Sequence, residues 1–214
     1  MNEFDLAVTD KLLSTTRAVR KRLDFEKKVD LEVINDCLRL AIQAPTGSNK
    51  QGWRWIVVTD QEVKKNLADI YRRGNSHYLE SGKINASNEG EIQNERVFDS
   101  AIYLAENFER VPVLVVPCIE VKVPVNMKKT LSSALYGSII PAIWSFQLAL
   151  RSRELGSVYT TPHLEEPIKE ILQIPEDFIP VAFIPVAHTI GKKFQPAKRK
   201  PLEDVIFKNI WNNT

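Results

Sequence analysis

The chain has 214 residues, 43% hydrophobic and 26% charged, enough length and apolar content for one domain with a sizeable core, and it is neither disordered nor fibrous. Its 29 Lys and Arg against 27 Asp and Glu leave a net charge of +2, too balanced for an obligate nucleic-acid binder that neutralises many phosphates. Cys37 and Cys118 sit in apolar stretches, make no disulfide framework and belong to no metal-spaced cluster, which points to buried thiols in a reducing compartment.

Met1-Asn2-Glu3-Phe4-Asp5 is acidic and leads into no apolar run, so no secretory signal is read and a cytoplasmic location is expected. Residues 4–22 read as a helix with a basic C-terminal end, where cations suit the helix dipole. Asp30 is placed to cap a second helix over 31–43, in which Val33, Ile34, Cys37, Leu38 and Ala41 fall at helical spacing. Ala44-Pro45-Thr46-Gly47-Ser48-Asn49 breaks that helix as a loop. Residues 53–59 are aromatic and β-branched and predict a strand, after which Asp60 caps a helix to about residue 73.

Residues 74–94 are polar, rich in Gly, Ser and Asn, and without apolar period, so they read as a long mobile excursion of the kind that forms lids. Tyr71, His77 and Tyr78 at its start could stack on or bond to a planar ligand. A helix is expected over 97–108 and a strand over 113–119. No Asp, Glu, Lys or Arg falls between Thr130 and Leu150, long enough to span a bilayer. The Ser132, Ser133, Gly137, Ser138, Pro141, Ser145 and Gln147 it contains favour a helix buried by protein on all sides, in part by a second subunit. A short extended piece over 155–160, a short helix over 164–172 and a last strand over 181–186 follow. The tail from 192 begins basic and ends amphipathic, with Val205, Ile206, Ile210 and Trp211 as its apolar face. The sum is one α+β domain over 1–214 around a small sheet, with a variable lid at about 74–94.

Three clusters carry possible chemistry. Arg17 and Arg20, three apart on a helix, would share a face and grip a phosphate from two directions, although a solvated basic helix end has the same pattern. The loop from Ala44 to Trp53 offers amides, hydroxyls and a carboxamide to a polar heterocycle, or simply joins a helix to a strand. The run ending Lys198-Arg199-Lys200-Pro201 is either a solvated tail or, folded back beside Arg17 and Arg20, the third arm around a dianion. No nucleophile elbow, phosphate-binding loop or dinucleotide fingerprint is present, and of His77, His163 and His188 none has metal spacing, though His163 could line a pocket. A chain without an evident acid, base or nucleophile points to chemistry carried by a cofactor.

In this order the segments resemble the FMN-dependent nitroreductase family. Arg17-Ala18-Val19-Arg20 is similar to its N-terminal Arg-Ser-x-Arg, Ala44 to Trp53 to its Ala-Pro-Ser/Thr-x-x-Asn-x-Gln-Pro-Trp loop, and Tyr136 to Ala142 to its central helix. Leu155 to Thr161 and Arg199 to Val205 are similar to its stretch after that helix and its C-terminal arginine motif. Ala18 stands for the usual Ser, Gly52 for Pro, and Trp144-Ser145 where many members have Gln-Asn.

The resemblance implies an α-β-α sandwich with a central mixed or antiparallel sheet, in an intertwined homodimer with FMN at the interface. It implies that Arg17, Ala18, Arg20 and Arg199 hold the ribityl phosphate. By the same resemblance, Pro45, Thr46, Gly47 and Asn49 would come from the other subunit and Tyr159, Thr160 and Thr161 would run beside the ring, with Asn94 near its edge. NADH or NADPH would reduce the flavin, and a nitroaromatic, quinone or related small acceptor would reoxidise it by a ping-pong mechanism, with no catalytic side chain, metal, nucleic acid or membrane required. Dehydrogenation or reductive dehalogenation on the same fold, or flavin binding without turnover, are the alternatives.

Overall fold

The computed structural model describes residues 3–121 and 129–211. Helix α1 (Leu6–Thr15) starts on Asp5, whose carboxylate accepts from the Val8 amide. Strand β1 (Leu23–Asp24) precedes α2 (Leu31–Ala41), capped by Asp30, and β2 (Trp53–Val58) precedes α3 (Gln61–Asn88), capped by Asp60. Both caps satisfy amides that a helix start leaves without partners, as their sequence positions predict. The remaining elements are α4 (Ile92–Glu106), β3 (Val113–Glu120), α5 (Lys129–Gly137), α6 (Ile140–Ser152), β4 (Leu155–Ser157), α7 (Glu165–Leu172), β5 (Phe178–Pro180) and β6 (Ile184–Thr189).

Strand β3 is the axis of a six-stranded sheet. It pairs with β2 along one side and with β6 and β5 along the other, while β6 also carries β1 and β4. Every ladder is antiparallel, and the parallel pairing among the described residues is a lone bridge from Ala18 to Ser157. The apolar run of β3 does not alternate because both faces are buried. Leu114, Val116 and Cys118 join a core with Leu67, Tyr71, Leu104 and Phe108 from the α3–α4 side, and Val113, Val115 and Ile119 join one with Ile34, Ile143 and Phe146 from α2 and α6. Helices thus cover both faces of the sheet, giving the expected α-β-α sandwich.

Four expectations are corrected. The first helix ends at Thr15, not at residue 22: the Thr15 and Thr16 hydroxyls donate to the carbonyls of Lys11 and Leu12 at 2.6 Å, and the chain turns extended. The Val19 amide then donates to the Ser157 carbonyl at 2.9 Å, so Arg17 and Arg20 sit on an extended segment beside β4 and share no helix face.

The polar excursion at 74–94 is a helical hairpin. Helix α3 continues to Asn88 with Asn75, Leu79 and Ala86 buried, and α4 begins at Ile92 after a turn at Gly90. Intrinsic propensity argued against this helix; packing on α4 overrides it.

The uncharged helix is two helices, because Pro141 in the first turn of α6 has no amide to continue α5. By length and composition Thr130–Ser152 would suffice to cross a membrane, but only 39% of its most apolar window is buried inside the fold, not all sides of it. Ile143, Phe146 and Leu150 face the core, whereas Leu131, Tyr136, Ile140 and Trp144 are exposed. Finally, the expected last strand is offset into β5 and β6; the tail forms a short turn at Leu202–Asp204, and its apolar Val205, Ile206, Ile210 and Trp211 are exposed.

Candidate functional site

The α3–α4 hairpin roofs a cavity of about 360 Å³ whose floor is the segment after β4. Tyr71, Asn75, Tyr78 and Leu79 reach it from α3, at i, i+4, i+7 and i+8, so one face of that helix supplies the wall. Val97, Phe98 and Ala101 come from α4, and Arg20, Tyr159, Thr160, Thr161 and His163 close it.

The aromatic wall is locked. Tyr71 stacks on Phe108 with ring centroids 4.5 Å apart, and Tyr78 meets Phe98 edge-on at 5.8 Å while leaning toward His163 at 6.2 Å. Thr160 exchanges both backbone hydrogen bonds with Phe183, at 3.1 and 2.8 Å, and its Oγ1 lies 2.8 Å from the Tyr71 hydroxyl. The Tyr159 hydroxyl donates to the Val181 carbonyl at 3.2 Å.

Arg20 is the charged group of this cavity. Its guanidinium donates to the Ser100 hydroxyl at 3.4 Å, and among the described residues no carboxylate pairs with it. The nearby Asp99 is engaged by Lys21 and Lys83 instead, which hold its carboxyl below the usual range, the Lys21 hydrogen bond first. Burial pushes the Arg20 pKa down, with Tyr71 opposing the shift. A half-buried cation with a single weak neutral partner is what an anion would complete.

The Pro45 to Asn49 loop stands elsewhere. Thr46, Gly47 and Ser48 line a separate cavity of about 250 Å³ with Ile119 and Glu120 of β3, Leu131 and Leu135 of α5, and Ser138 just after it. The Gly47 amide donates to the Ser138 hydroxyl at 3.1 Å, and the Gln51 amide to the Thr46 hydroxyl at 3.2 Å. Ser48, Asn49 and Gln51 all have positive φ (53°, 52° and 49°), a left-handed run that non-glycine residues adopt at a cost of about 1–3 kcal/mol each. The two cavities share no residue.

Of the sequence-predicted residues, one chain therefore brings together Arg20, Tyr159, Thr160 and Thr161, and holds Thr46 and Gly47 apart from them. Pro45 and Asn49 are exposed. Ala18 is exposed at its bridge to Ser157, and Arg17 donates to the Gln195 carbonyl at 3.0 Å, so the base of the tail does fold back against the N-terminal segment. Arg199, four residues further on, is exposed and donates to the adjoining Lys198 carbonyl at 3.3 Å. Asn94 bonds to Glu91 and His77 points to solvent; neither lines the cavity. Sequence reasoning missed Asn75, Leu79, Val97, Phe98 and Ala101; the helical spacing from Tyr71 would have disclosed Asn75 and Leu79 had α3 been carried past residue 73, whereas Val97, Phe98 and Ala101 reach the cavity only because α4 folds back on α3.

The comparisons agree with this frame. The iodotyrosine deiodinase of Thermotoga neapolitana is 26% identical over 206 residues, covering 95% of each chain. Among solved structures, oxidised iodotyrosine deiodinase bound to FMN and 3-iodo-L-tyrosine superposes with a TM-score of 0.71 at 21% identity, covering 94% of this chain and 98% of that one. A putative NADH dehydrogenase/NAD(P)H nitroreductase from Parabacteroides distasonis gives a TM-score of 0.68 at 21% identity, covering 95% and 99%. The Nitroreductase family model matches residues 13–188, and the chain belongs to the nitroreductase family.

Proposed function

We propose that this chain is an FMN-dependent oxidoreductase, working as a homodimer, that takes hydride from NADH or NADPH and reduces small planar acceptors. The observation that carries this reading is Arg20, a half-buried cation on the wall of an aromatic cavity, with no carboxylate partner among the described residues. The residues fit the group: Arg20 offers guanidinium donors to a phosphate, Arg17 and Arg199 would join it from outside this cavity, from the N-terminal segment and the tail, and Tyr78 and Phe98 offer aromatic surface to a ring. Bound there, FMN would supply the hydride-accepting and hydride-donating centre. The chain's own work is to fix the ring between Thr160 and the hairpin, to hold positive charge beside it and to exclude water with the α3–α4 roof. That roof, rather than a loose lid, would select the acceptor.

The separated half-sites support a homodimer. The strained loop at 46–51 lines a cavity that shares no residue with its own chain's Arg20 cavity, and the apolar Leu131, Tyr136, Ile140 and Trp144 lie exposed on α5 and α6. A second copy would cover that face and bring its loop to the flavin. Buried Cys37 and Cys118 suit a cytoplasmic, reducing setting.

Purification tests the reading directly. A yellow dimer releasing FMN, bleached anaerobically by NADH or NADPH and recoloured by a nitroaromatic or quinone, is the expected result, and a colourless chain that takes up no FMN refutes it. Similarity to iodotyrosine deiodinases favours one second reading, reductive dehalogenation. Halophenols and halotyrosines that reoxidise the reduced flavin with release of halide, where nitroaromatics do not, would select it.

A further inference from the structure

The face of the cavity after β4 contains one side-chain hydroxyl whose surroundings are fixed on every side. Thr160 is held in the backbone by two hydrogen bonds to Phe183 and at its side chain by the Tyr71 hydroxyl. Tyr71 is 3% exposed, its ring stacked on Phe108 at 4.5 Å and tilted against Phe183 at 6.2 Å, so it cannot swing away. Its hydroxyl, 2.8 Å from Thr160 Oγ1, is a polar atom that a core aromatic at this position would not need. Either hydroxyl could donate by geometry; the phenol is the more acidic, which assigns the donor role to Tyr71 and leaves the Thr160 proton to point elsewhere. Both residues line the cavity that also holds Arg20.

We propose that Tyr71 is a positioning residue for the flavin: its hydroxyl orients that of Thr160, and the pair sets the strength of one hydrogen bond from the cavity wall to the bound ring. The proposal rests on the FMN reading above. Chained hydroxyls polarise one another, so a donor behind Thr160 strengthens what Thr160 gives. Burial raises the Tyr71 pKa, with the Thr160 hydrogen bond and Arg20 opposing, so the phenol keeps its proton and its donor role at neutral pH. A hydrogen bond that differs between oxidised and reduced ring shifts the balance between those states without being needed for binding.

The test uses the FMN-loaded wild type and the variants Tyr71→Phe, Thr160→Val, Thr160→Ser and Tyr71→Phe/Thr160→Val. The readouts are the Kd for oxidised FMN and the midpoint potential of the bound flavin. Tyr71→Phe keeps the ring and its stacking; it should bind oxidised FMN within about threefold of wild type, yet change the preference for reduced over oxidised flavin by up to about tenfold, or about 30 mV for a two-electron couple. The double variant should match Thr160→Val alone, since Tyr71 acts through Thr160, and Thr160→Ser should retain the wild-type potential. An unchanged potential in Tyr71→Phe, or additive shifts in the double variant, overturns the proposal and leaves the FMN reading standing. If Tyr71→Phe does not fold, Thr160→Val decides, because an unchanged potential there overturns it equally. A wild type that takes up no FMN overturns both.

Discussion

The ring of Phe98 occupies the space that a side chain at Gly82 would need: a Cβ there would lie 2.3 Å from Phe98 Cε1 and Cζ. The glycine is the point at which α3 and α4 approach closely enough to form a hairpin, and Phe98 in turn is a wall of the Arg20 cavity, edge-on to Tyr78. Gly82→Ala should gain about 1 kcal/mol of helix propensity and lose more to overpacking, about 1–3 kcal/mol, for a net loss in urea midpoint. Combining it with Phe98→Leu should recover most of the loss. A Gly82→Ala protein more stable than wild type would mean that the hairpin is looser than its geometry.

Arg20, the cation of the cavity, is held at rest by a 3.4 Å hydrogen bond to the Ser100 hydroxyl. Arg20→Ala should weaken FMN by about 1.5–3 kcal/mol, the range for charged hydrogen bonds, or roughly ten- to a hundred-fold in Kd. The melting temperature of the flavin-free protein should change little, because among the described residues the substitution breaks no ion pair. Unchanged FMN affinity would remove Arg20 from the site.

What the sequence disclosed followed from local signals with one physical meaning. Asp30 and Asp60 cap the helices they precede, and the unbroken apolar run of β3 marks a strand buried on both faces. The α3–α4 hairpin was illegible because its composition is that of a loop; Leu79 and Ala86 are inside only because α4 folds back on them. The break at Pro141 was visible but outweighed by the lack of charge around it. At the site, Arg20 and Thr160 are on the cavity because Val19 pairs with Ser157 and Thr160 with Phe183, long-range pairings that no spacing encodes.

Phe194 anchors the tail. Its ring is flanked by the Arg22 and Arg151 guanidinium groups, 4.0 and 4.6 Å from the centroid, while Arg22 also donates to the Ile190 and Lys193 carbonyls. If Arg199 reaches the phosphate from this anchor, Phe194→Ala should weaken FMN binding several-fold and speed tryptic cleavage near Lys198, each cation–π contact being worth about 0.5–2 kcal/mol. Faster cleavage with unaltered affinity would detach Arg199 from the site.

The two thiols should be inert in the folded protein. Burial pushes Cys37 from the ordinary 9.0 to about 11, with Arg153 opposing and Asp36 adding, and burial alone takes Cys118 to about 12. The thiolate is the reactive form, so iodoacetamide at pH 8 should label neither cysteine until urea unfolds the chain. Because the folded pKa values lie above the unfolded one, these groups cost no stability below pH 9. Stability should then fall as pH rises from 9 toward 11–12, where only the unfolded chain has released its protons. Rapid native labelling at pH 8 would contradict the burial.

Ile143 and Trp144 are neighbours on α6 that separate folding from assembly: Ile143 is 1% exposed within the chain, and Trp144 is 42% exposed. Asp at Ile143 places an unpaired charge in the core and should prevent folding whatever the oligomeric state. Asp at Trp144 leaves the core intact and should act only on the face that Tyr136 and Ile140 share with it. If that face is the dimer interface, which in a permanent assembly exceeds about 2,000 Å² in total, Trp144→Asp should sediment as a folded monomer with wild-type circular dichroism. It should also lose FMN, since the Arg20 cavity would then lack the loop that the other copy supplies. A Trp144→Asp dimer that still carries flavin would place the interface elsewhere, and a flavin-loaded monomer would make the Arg20 cavity sufficient by itself.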